Sequence, residues 1–150
     1  MINLVFLDID GVLNSVASAT RYRTDKRFGD ENVAAFNRII DQTSARIVIS
    51  STWRFGRTDA ELGHVLRQQG VHGEIVGSTD RDFEGEGCPR GSLIQRWLDA
   101  QTEKPDRFII LDDNADMRPL RDRLVQTDSK VGLTDADADK AILMLKGVTW

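Results

Sequence analysis

The chain has 150 residues, a formal net charge of −4 and one cysteine, Cys88. This length is typical of one domain with a substantial core, the acidic balance argues against wholesale wrapping of nucleic acid, and one cysteine excludes an internal disulfide or a cysteine-rich zinc site. No basic segment precedes the N-terminal apolar run and no segment has the length of a membrane span, so we expect no signal peptide, no membrane partner and a cytoplasmic location.

Short apolar runs alternate with segments of helical periodicity along the chain. The predicted strands, in chain order, are residues 2–7, 46–50, 74–76, 107–111 and 124–125. Helices are predicted from residue 30, over 58–69 behind a capping-box pattern, over 92–100, over 117–121, and from residue 134 onward. Residues 14–29 and 80–91 are expected to be irregular.

This alternation predicts an α/β fold, a Rossmann-like three-layer sandwich around a parallel sheet, in a single domain. Right-handed crossovers permit the strand order 3-2-1-4-5. In that order the first and fourth strands are neighbours, and the direction of winding reverses between them. Such a switch point is where open α/β sheets bind ligands, at the carboxyl ends of the strands.

Polar residues follow three of the predicted strands at these ends. Asp8 and Asp10 follow the first strand, Ser50 and Ser51 belong to the end of the second, and an Asp112-Asp113 pair follows the fourth. Gly11 then allows a sharp turn or the close approach of a ligand. Together these groups suit a chain that holds a magnesium ion and attacks a phosphate.

The motifs in residues 8–14, 47–50 and 110–113, with Arg90 at a helix start, resemble those of the haloacid dehalogenase (HAD) superfamily of phosphatases and phosphotransferases. They occur in the order of that superfamily and span most of the chain. Residues 130–134, which lead into the last helix, are similar to a narrower group, the HAD domains associated with RNA-repair proteins. The resemblance implies the same Rossmann-like sheet and a Mg²⁺ cofactor.

The resemblance also implies roles for the aspartates. Asp8 is the expected nucleophile, which forms an aspartyl-phosphate, and Asp10 is the expected general acid and base. The side chains of Asp8 and Asp113 and the backbone carbonyl of Asp10 are the expected metal ligands. Asp112 stands where many members have glycine; it and Asp116 are expected to support the ligands rather than bind the ion.

Two phosphate-binding positions are expected, and two candidate residues compete for each. Ser50 directly follows the apolar strand and matches the superfamily position, with Ser51 as the close alternative. The superfamily usually has a lysine at the start of the helix before strand four. Lys104 lies too close to Asp113 for a helix to intervene, so we choose Arg90, whose planar guanidinium can hold a phosphate through two donors.

Neither irregular segment is long enough for a cap domain, and an uncapped site favours a phosphate at the end of a large molecule, such as RNA or DNA. The first segment interleaves basic and aromatic residues, a composition suited to a phosphodiester chain and its bases; a solvated flap over the core is the alternative. The candidate substrate contacts are Arg21, Arg23, Lys26 and Arg27 in this segment, and Arg54 beside Trp53 at the entrance.

The sequence therefore predicts a Mg²⁺-dependent phosphomonoesterase acting on nucleic-acid ends or nucleotides. Three alternatives stay open: a phosphatase of a small metabolite or phosphoprotein, a catalytically idle binding module, and a signalling receiver domain. A receiver domain would need a phospho-accepting aspartate after strand three, where this chain has Gly77, Ser78 and Thr79.

Overall fold

The computed structural model describes residues 1–80 and 88–147. In chain order the elements are β1 (Asn3–Leu7), α1 (Val16–Tyr22), α2 (Asp30–Thr43), β2 (Arg46–Ile49), α3 (Asp59–Gln68), β3 (Ile75–Ser78), α4 (Arg90–Ala100), β4 (Arg107–Asp112), β5 (Leu124–Gln126) and α5 (Asp135–Leu145). Two short 3₁₀ turns cover Thr52–Arg54 and Arg121–Arg123.

The five strands form one parallel sheet in the order β3-β2-β1-β4-β5, which confirms the predicted topology. Leu7 at the end of β1 is in register with Ile49 of β2 and Leu111 of β4. The residue that follows each of these three strands therefore lies at the same edge of the sheet. The Asp8 amide donates to the Leu111 carbonyl at 3.0 Å and the Ser50 amide donates to the Leu7 carbonyl at 3.1 Å, which fixes this edge.

Successive side chains of the central strands point to opposite faces of the sheet and pack in two separate cores, as expected for a sheet covered on both faces. Val5 and Leu7 of β1 belong to the larger core, to which α2, α3 and α5 contribute. Leu4 and Phe6 belong to the smaller core, to which α4 contributes. The chain is thus a three-layer sandwich.

The predicted helix starts at Thr58 and Thr134 are confirmed, since each hydroxyl caps its helix in a capping box, with Glu61 and Asp137 respectively. The helix predicted over 117–121 was wrong: Pro119 lacks an amide hydrogen for a helical bond, and the 3₁₀ turn comes after it.

Residues 14–29 are not wholly irregular, because α1 lies among them. The Ser15 hydroxyl oxygen accepts from the Ser18 amide and caps this helix, and the Ser18 hydroxyl oxygen accepts from the Ser15 amide. Serine in place of the usual Glu or Gln hides the capping box from a sequence pattern. The seven-residue α1 is far smaller than a cap domain. The second segment falls largely outside the described residues. Within the described chain, no helix combines the length and apolar character needed to cross a membrane.

Candidate active site

Three carboxylates meet at the carboxyl ends of β1 and β4. Asp8, Asp112 and Asp113, here called the acid cluster, each place an oxygen within 4.8 Å of the others. Asp8 is 5% exposed and Asp112 is fully buried. Like charges brought this close in a buried site repel one another and call for a cation. A donor set made only of carboxylate oxygens suits Mg²⁺.

Gly11 allows Asp113 to approach β1. Its φ of +81° lies in the left-handed region, and a Cβ at this position would lie 2.7 Å from Asp113 Cγ. The surrounding turn is held by two hydrogen bonds: the Gly11 amide donates to Asn14 Oδ1 at 2.9 Å, and Thr127 Oγ1 donates to the Gly11 carbonyl at 2.7 Å. Only glycine meets both the conformational and the steric demand here.

Arg90 is the positive member of the site. It is the first residue of α4, and its Nη1 lies 2.6 Å from Asp112 Oδ2 and 3.3 Å from Asp8 Oδ2. Gly91 keeps this helix start close to the loop after β4, because a Cβ there would lie 2.5 Å from the Arg118 carbonyl oxygen. Lys104, in contrast, donates to the carbonyls of Leu98 and Gln101 at the end of α4.

The electrostatics of the acid cluster favour protonation when no cation is bound. Burial and, next, the charge of Asp112 raise the pKa of Asp8 to about 8, although Arg90 acts in the opposite direction. Burial and the charge of Asp112 also raise the pKa of Asp113. A divalent cation would reverse this preference, because it stabilises the ionised carboxylates.

Asp10 is exposed and is oriented by two side chains that were not among the predicted site residues. Its Oδ1 accepts hydrogen bonds from Asn14 Nδ2 at 2.9 Å and from the indole Nε1 of Trp53 at 3.1 Å. Among the described residues, no donor contacts its Oδ2. Asn14 lies four residues after Asp10 in the first motif, which is the one sequence signal for its role.

The two candidate serines differ in what their hydroxyls do. Ser51 Oγ accepts from the Trp53 amide at 3.1 Å and so caps the 3₁₀ turn. Ser50 is fully buried, and its Oγ has no hydrogen-bond partner in the described part of the chain. A buried hydroxyl without a partner is costly and unusual in a native protein. Ser50 therefore retains hydrogen-bonding capacity at the edge of the sheet beside Asp8.

Residues 4–138 match the model of a family described as the HAD domain in Swiss Army Knife RNA repair proteins. The chain belongs to this family. The resemblance inferred from the motifs is thereby confirmed, and the observed sheet agrees with it. No curated protein and no solved structure gives a significant match.

Arg54 of this HAD domain does not lie at the entrance, contrary to expectation. It is 1% exposed; its Nη1 donates to the carbonyls of Ser50 and Ser51, at 3.1 and 2.8 Å, and its Nε donates to the Asp80 carbonyl at 3.0 Å. The 3₁₀ turn directs the guanidinium into the protein. Arg54 thus braces the serine loop from inside.

Asp116 also lies apart from the acid cluster. It is exposed, and its carboxylate accepts from Arg118 Nε at 2.7 Å and Nη2 at 2.9 Å. Its amide donates to Asn114 Oδ1, while the Asn114 amide donates to Asp112 Oδ1, both at 2.9 Å. Asp116 is therefore connected to the acid cluster through the loop that follows β4.

The four basic residues of the first segment are all exposed but occupy different surroundings. Arg21 Nη1 lies 3.2 Å from Glu31, and the Arg27 guanidinium lies 3.7 Å from the centroid of the Tyr22 ring. Arg23 ends α1 in a left-handed conformation. Lys26 is the member of this set that shares a cavity with Asp10.

Proposed function

We propose that this HAD domain is a Mg²⁺-dependent phosphomonoesterase that works through an aspartyl-phosphate at Asp8, and that its substrates are phosphorylated nucleic-acid ends or nucleotides. The observation that carries the proposal is the acid cluster, which meets within 4.8 Å beside Arg90. This arrangement could supply a nucleophilic carboxylate, oxygen ligands for the ion and a cation for the phosphoryl group at one edge of the sheet.

Asp8 and Asp113 would hold the ion through their side chains, and Asp10 through its backbone carbonyl. Asp112 is the weaker candidate, because its Oδ2 contacts Arg90 and its Oδ1 accepts from the Asn114 amide. Both of its oxygens are thus engaged, and it orients Arg90 and the loop after β4. A bound Mg²⁺ would offset the repulsion between the nucleophile and the anionic substrate.

In the first step, an Asp8 carboxylate oxygen attacks phosphorus, and the bond from phosphorus to the leaving oxygen breaks. Asp10 gives its proton to that oxygen, so the leaving group departs as an alcohol. In the second step, Asp10 takes a proton from water, which attacks the aspartyl-phosphate. Inorganic phosphate and the free Asp8 carboxylate are regenerated.

The hydrogen bonds to Asp10 support a role for one particular oxygen in this proton transfer. Since Asn14 and Trp53 both donate to Oδ1, the proton exchanged in catalysis is carried on Oδ2. The transferring phosphoryl group would be held by the hydroxyl of Ser50, which lacks a partner among the described residues, and by the guanidinium of Arg90.

Two observations support a nucleic-acid end as substrate. The family to which the chain belongs is described by its place in RNA-repair proteins. The segment between β1 and α2 carries only the short α1, so on that side nothing the size of a cap domain restricts the substrate to a small molecule.

The test is Mg²⁺-dependent hydrolysis of p-nitrophenyl phosphate, which requires no natural substrate. Turnover should disappear in excess EDTA and in Asp8→Asn, whose amide is a poor nucleophile of similar shape. Calcium should inhibit, because its longer ligand distances misplace the nucleophile. Full activity in EDTA, or near-wild-type turnover of a folded Asp8→Asn variant, would overturn the proposal. Absence of turnover in the wild type would favour an idle binding module.

A further inference from the structure

A cavity of about 550 Å³ adjoins Asp10 on the side of the serine loop. Its wall contains the indole of Trp53 and two exposed cations, Lys26 from the first segment and Arg57 from the loop after the 3₁₀ turn. The remaining lining residues are Asp25, Thr52, Val65 and Gln69. An aromatic ring and two cations therefore lie next to the carboxylate proposed to protonate the leaving group.

We propose that this cavity is the leaving-group subsite and that it takes a nucleotide bearing a second phosphate. The base packs against Trp53, and the second phosphate contacts Lys26 and Arg57. This inference rests on the proposed function and names the substrate class of the same site. It also assigns a direction to the substrate, from the acid cluster, past Asp10, into the cavity.

The position of Asp10 determines where the leaving group lies. A general acid must come within hydrogen-bonding distance of the oxygen that it protonates, roughly 3 Å. The leaving group must therefore lie against Asp10 when the phosphate is at Asp8. Because Asp10 is part of the cavity wall, the cavity is where the rest of the leaving group extends.

The side chains of the cavity wall favour a base and a second phosphate as the ligand. The Arg57 guanidinium lies 5.4 Å from the centroid of the Trp53 ring and donates to the Trp53 carbonyl at 3.1 Å. A guanidinium and an indole placed together offer planar surfaces for a base and charge for a phosphate. A simple sugar monophosphate or the phosphate of an aliphatic alcohol has neither a planar base for the ring nor a second phosphate for the two cations.

Hydrogen bonds hold the backbone around Lys26, so this side of the cavity is preorganised. Gln69 Nε2 donates to the Lys26 carbonyl at 2.8 Å, and its Oε1 accepts from the Phe28 amide at 2.7 Å. Asn14 Nδ2 donates both to Asp10 Oδ1 and to the Asp25 carbonyl, at 2.9 and 2.8 Å. One amide side chain thus connects the general acid to the segment that carries Lys26.

Arg27, another cation of the first segment, supplies the matched control. Arg27 lies over the Tyr22 ring and lines a different cavity with Phe28 and Asp30. It is exposed, basic and adjacent to Lys26 in sequence, but it does not line the cavity of Asp10. A general attraction of nucleic acid to a basic surface would involve Arg27 as much as Lys26. The proposed subsite involves Lys26 but not Arg27.

The experiment compares a nucleoside 3′,5′-bisphosphate with the two corresponding nucleoside monophosphates, using the full chain and Mg²⁺. The readout is the ratio of kcat/KM for the bisphosphate to that for the better monophosphate, which cancels changes common to both substrates. The wild type should favour the bisphosphate about tenfold, since an exposed ion pair contributes up to about fivefold. Lys26→Gln and Arg57→Gln should each lower the ratio about threefold, and the double variant should bring it near one. Arg27→Gln should retain the wild-type ratio.

A wild-type ratio near one would overturn the subsite, as would an equal fall in the Arg27→Gln variant. Hydrolysis of p-nitrophenyl phosphate separates these failures from failure of the proposed function. If the wild type hydrolyses the aryl phosphate but does not prefer the bisphosphate, the phosphatase stands and the subsite falls. If it hydrolyses neither, the proposed function falls first.

Discussion

The affinity of the acid cluster for Mg²⁺ should rise steeply between pH 6 and pH 8. In the metal-free protein, burial and the neighbouring Asp112 raise the pKa of Asp8 to about 8, from an ordinary value of 3.8. A carboxyl group must lose its proton before it can bind the ion. Below pH 8, Mg²⁺ therefore competes with a proton on Asp8.

The size of the effect follows from the ionised fraction of Asp8. With a pKa of about 8, roughly 1% of the metal-free protein carries an ionised Asp8 at pH 6 and about half carries it at pH 8. The apparent affinity for Mg²⁺ should therefore increase by up to about fiftyfold, or about 2 kcal/mol, over this range. Because folding raises the pKa of Asp8, the contribution of this group to the stability of the metal-free protein should be fully present below about pH 4 and be lost as the pH rises from there through about 8.

Isothermal titration with Mg²⁺ at pH 6, 7 and 8 measures the affinity, and thermal denaturation with and without the ion gives an independent check. Asp8→Asn should bind more weakly, and it should keep only the smaller pH dependence that arises from Asp113. Binding with equal affinity at pH 6 and pH 8 would refute the reasoning. An undiminished pH dependence in Asp8→Asn would show that another group carries the proton.

Four further substitutions test the positions around the acid cluster. Ser50→Ala should raise KM for p-nitrophenyl phosphate about tenfold without loss of stability, whereas Ser51→Ala should cost about 0.5–1 kcal/mol in thermal denaturation through its lost cap; the reverse pattern would exchange the two roles. Trp53→Phe should slow esters with poor leaving groups more than p-nitrophenyl phosphate, because its indole orients the general acid; equal slowing would contradict this. Gly11→Ala should weaken Mg²⁺ binding at least tenfold in titration, because a Cβ displaces Asp113, and unchanged binding would exclude Asp113 as a ligand.

The sheet and the position of the acids were predictable because three of the five strands end in a distinct chemical signal. Apolar runs of strand length followed by Asp8, by Ser50 and by the Asp112-Asp113 pair fix where the strands stop. The short lengths of the connections, and the handedness of crossovers, then leave few orders of strands. Because the strands are in register and end at the same level, the residues that follow them lie at one edge of the sheet.

Side-chain direction was not predictable in the same way. Arg54 and Arg57 are three residues apart and have the same chemistry, yet Arg54 is buried against backbone carbonyls while Arg57 is exposed at the cavity. The difference arises from the 3₁₀ turn that begins at Thr52, and no hydrophobic periodicity marks so short an element. The roles of Asn14 and Trp53 depend on contacts across the fold, which sequence spacing does not reveal.

The charge of the site is compatible with the role proposed for Arg90, at a position where the superfamily usually has lysine. Three carboxylates against the guanidinium of Arg90 leave two negative charges when all are ionised, and one divalent cation balances them. Arg90 bridges Asp112 and Asp8 through one nitrogen, so it neutralises charge without displacing Asp113 from the cluster. An ammonium on a flexible stem supplies the same charge but not the planar, fixed set of donors. Arg90 holds Asp112. In the proposed mechanism it would also offer a donor to the phosphoryl group, and that second role is the one that depends on the geometry of the guanidinium.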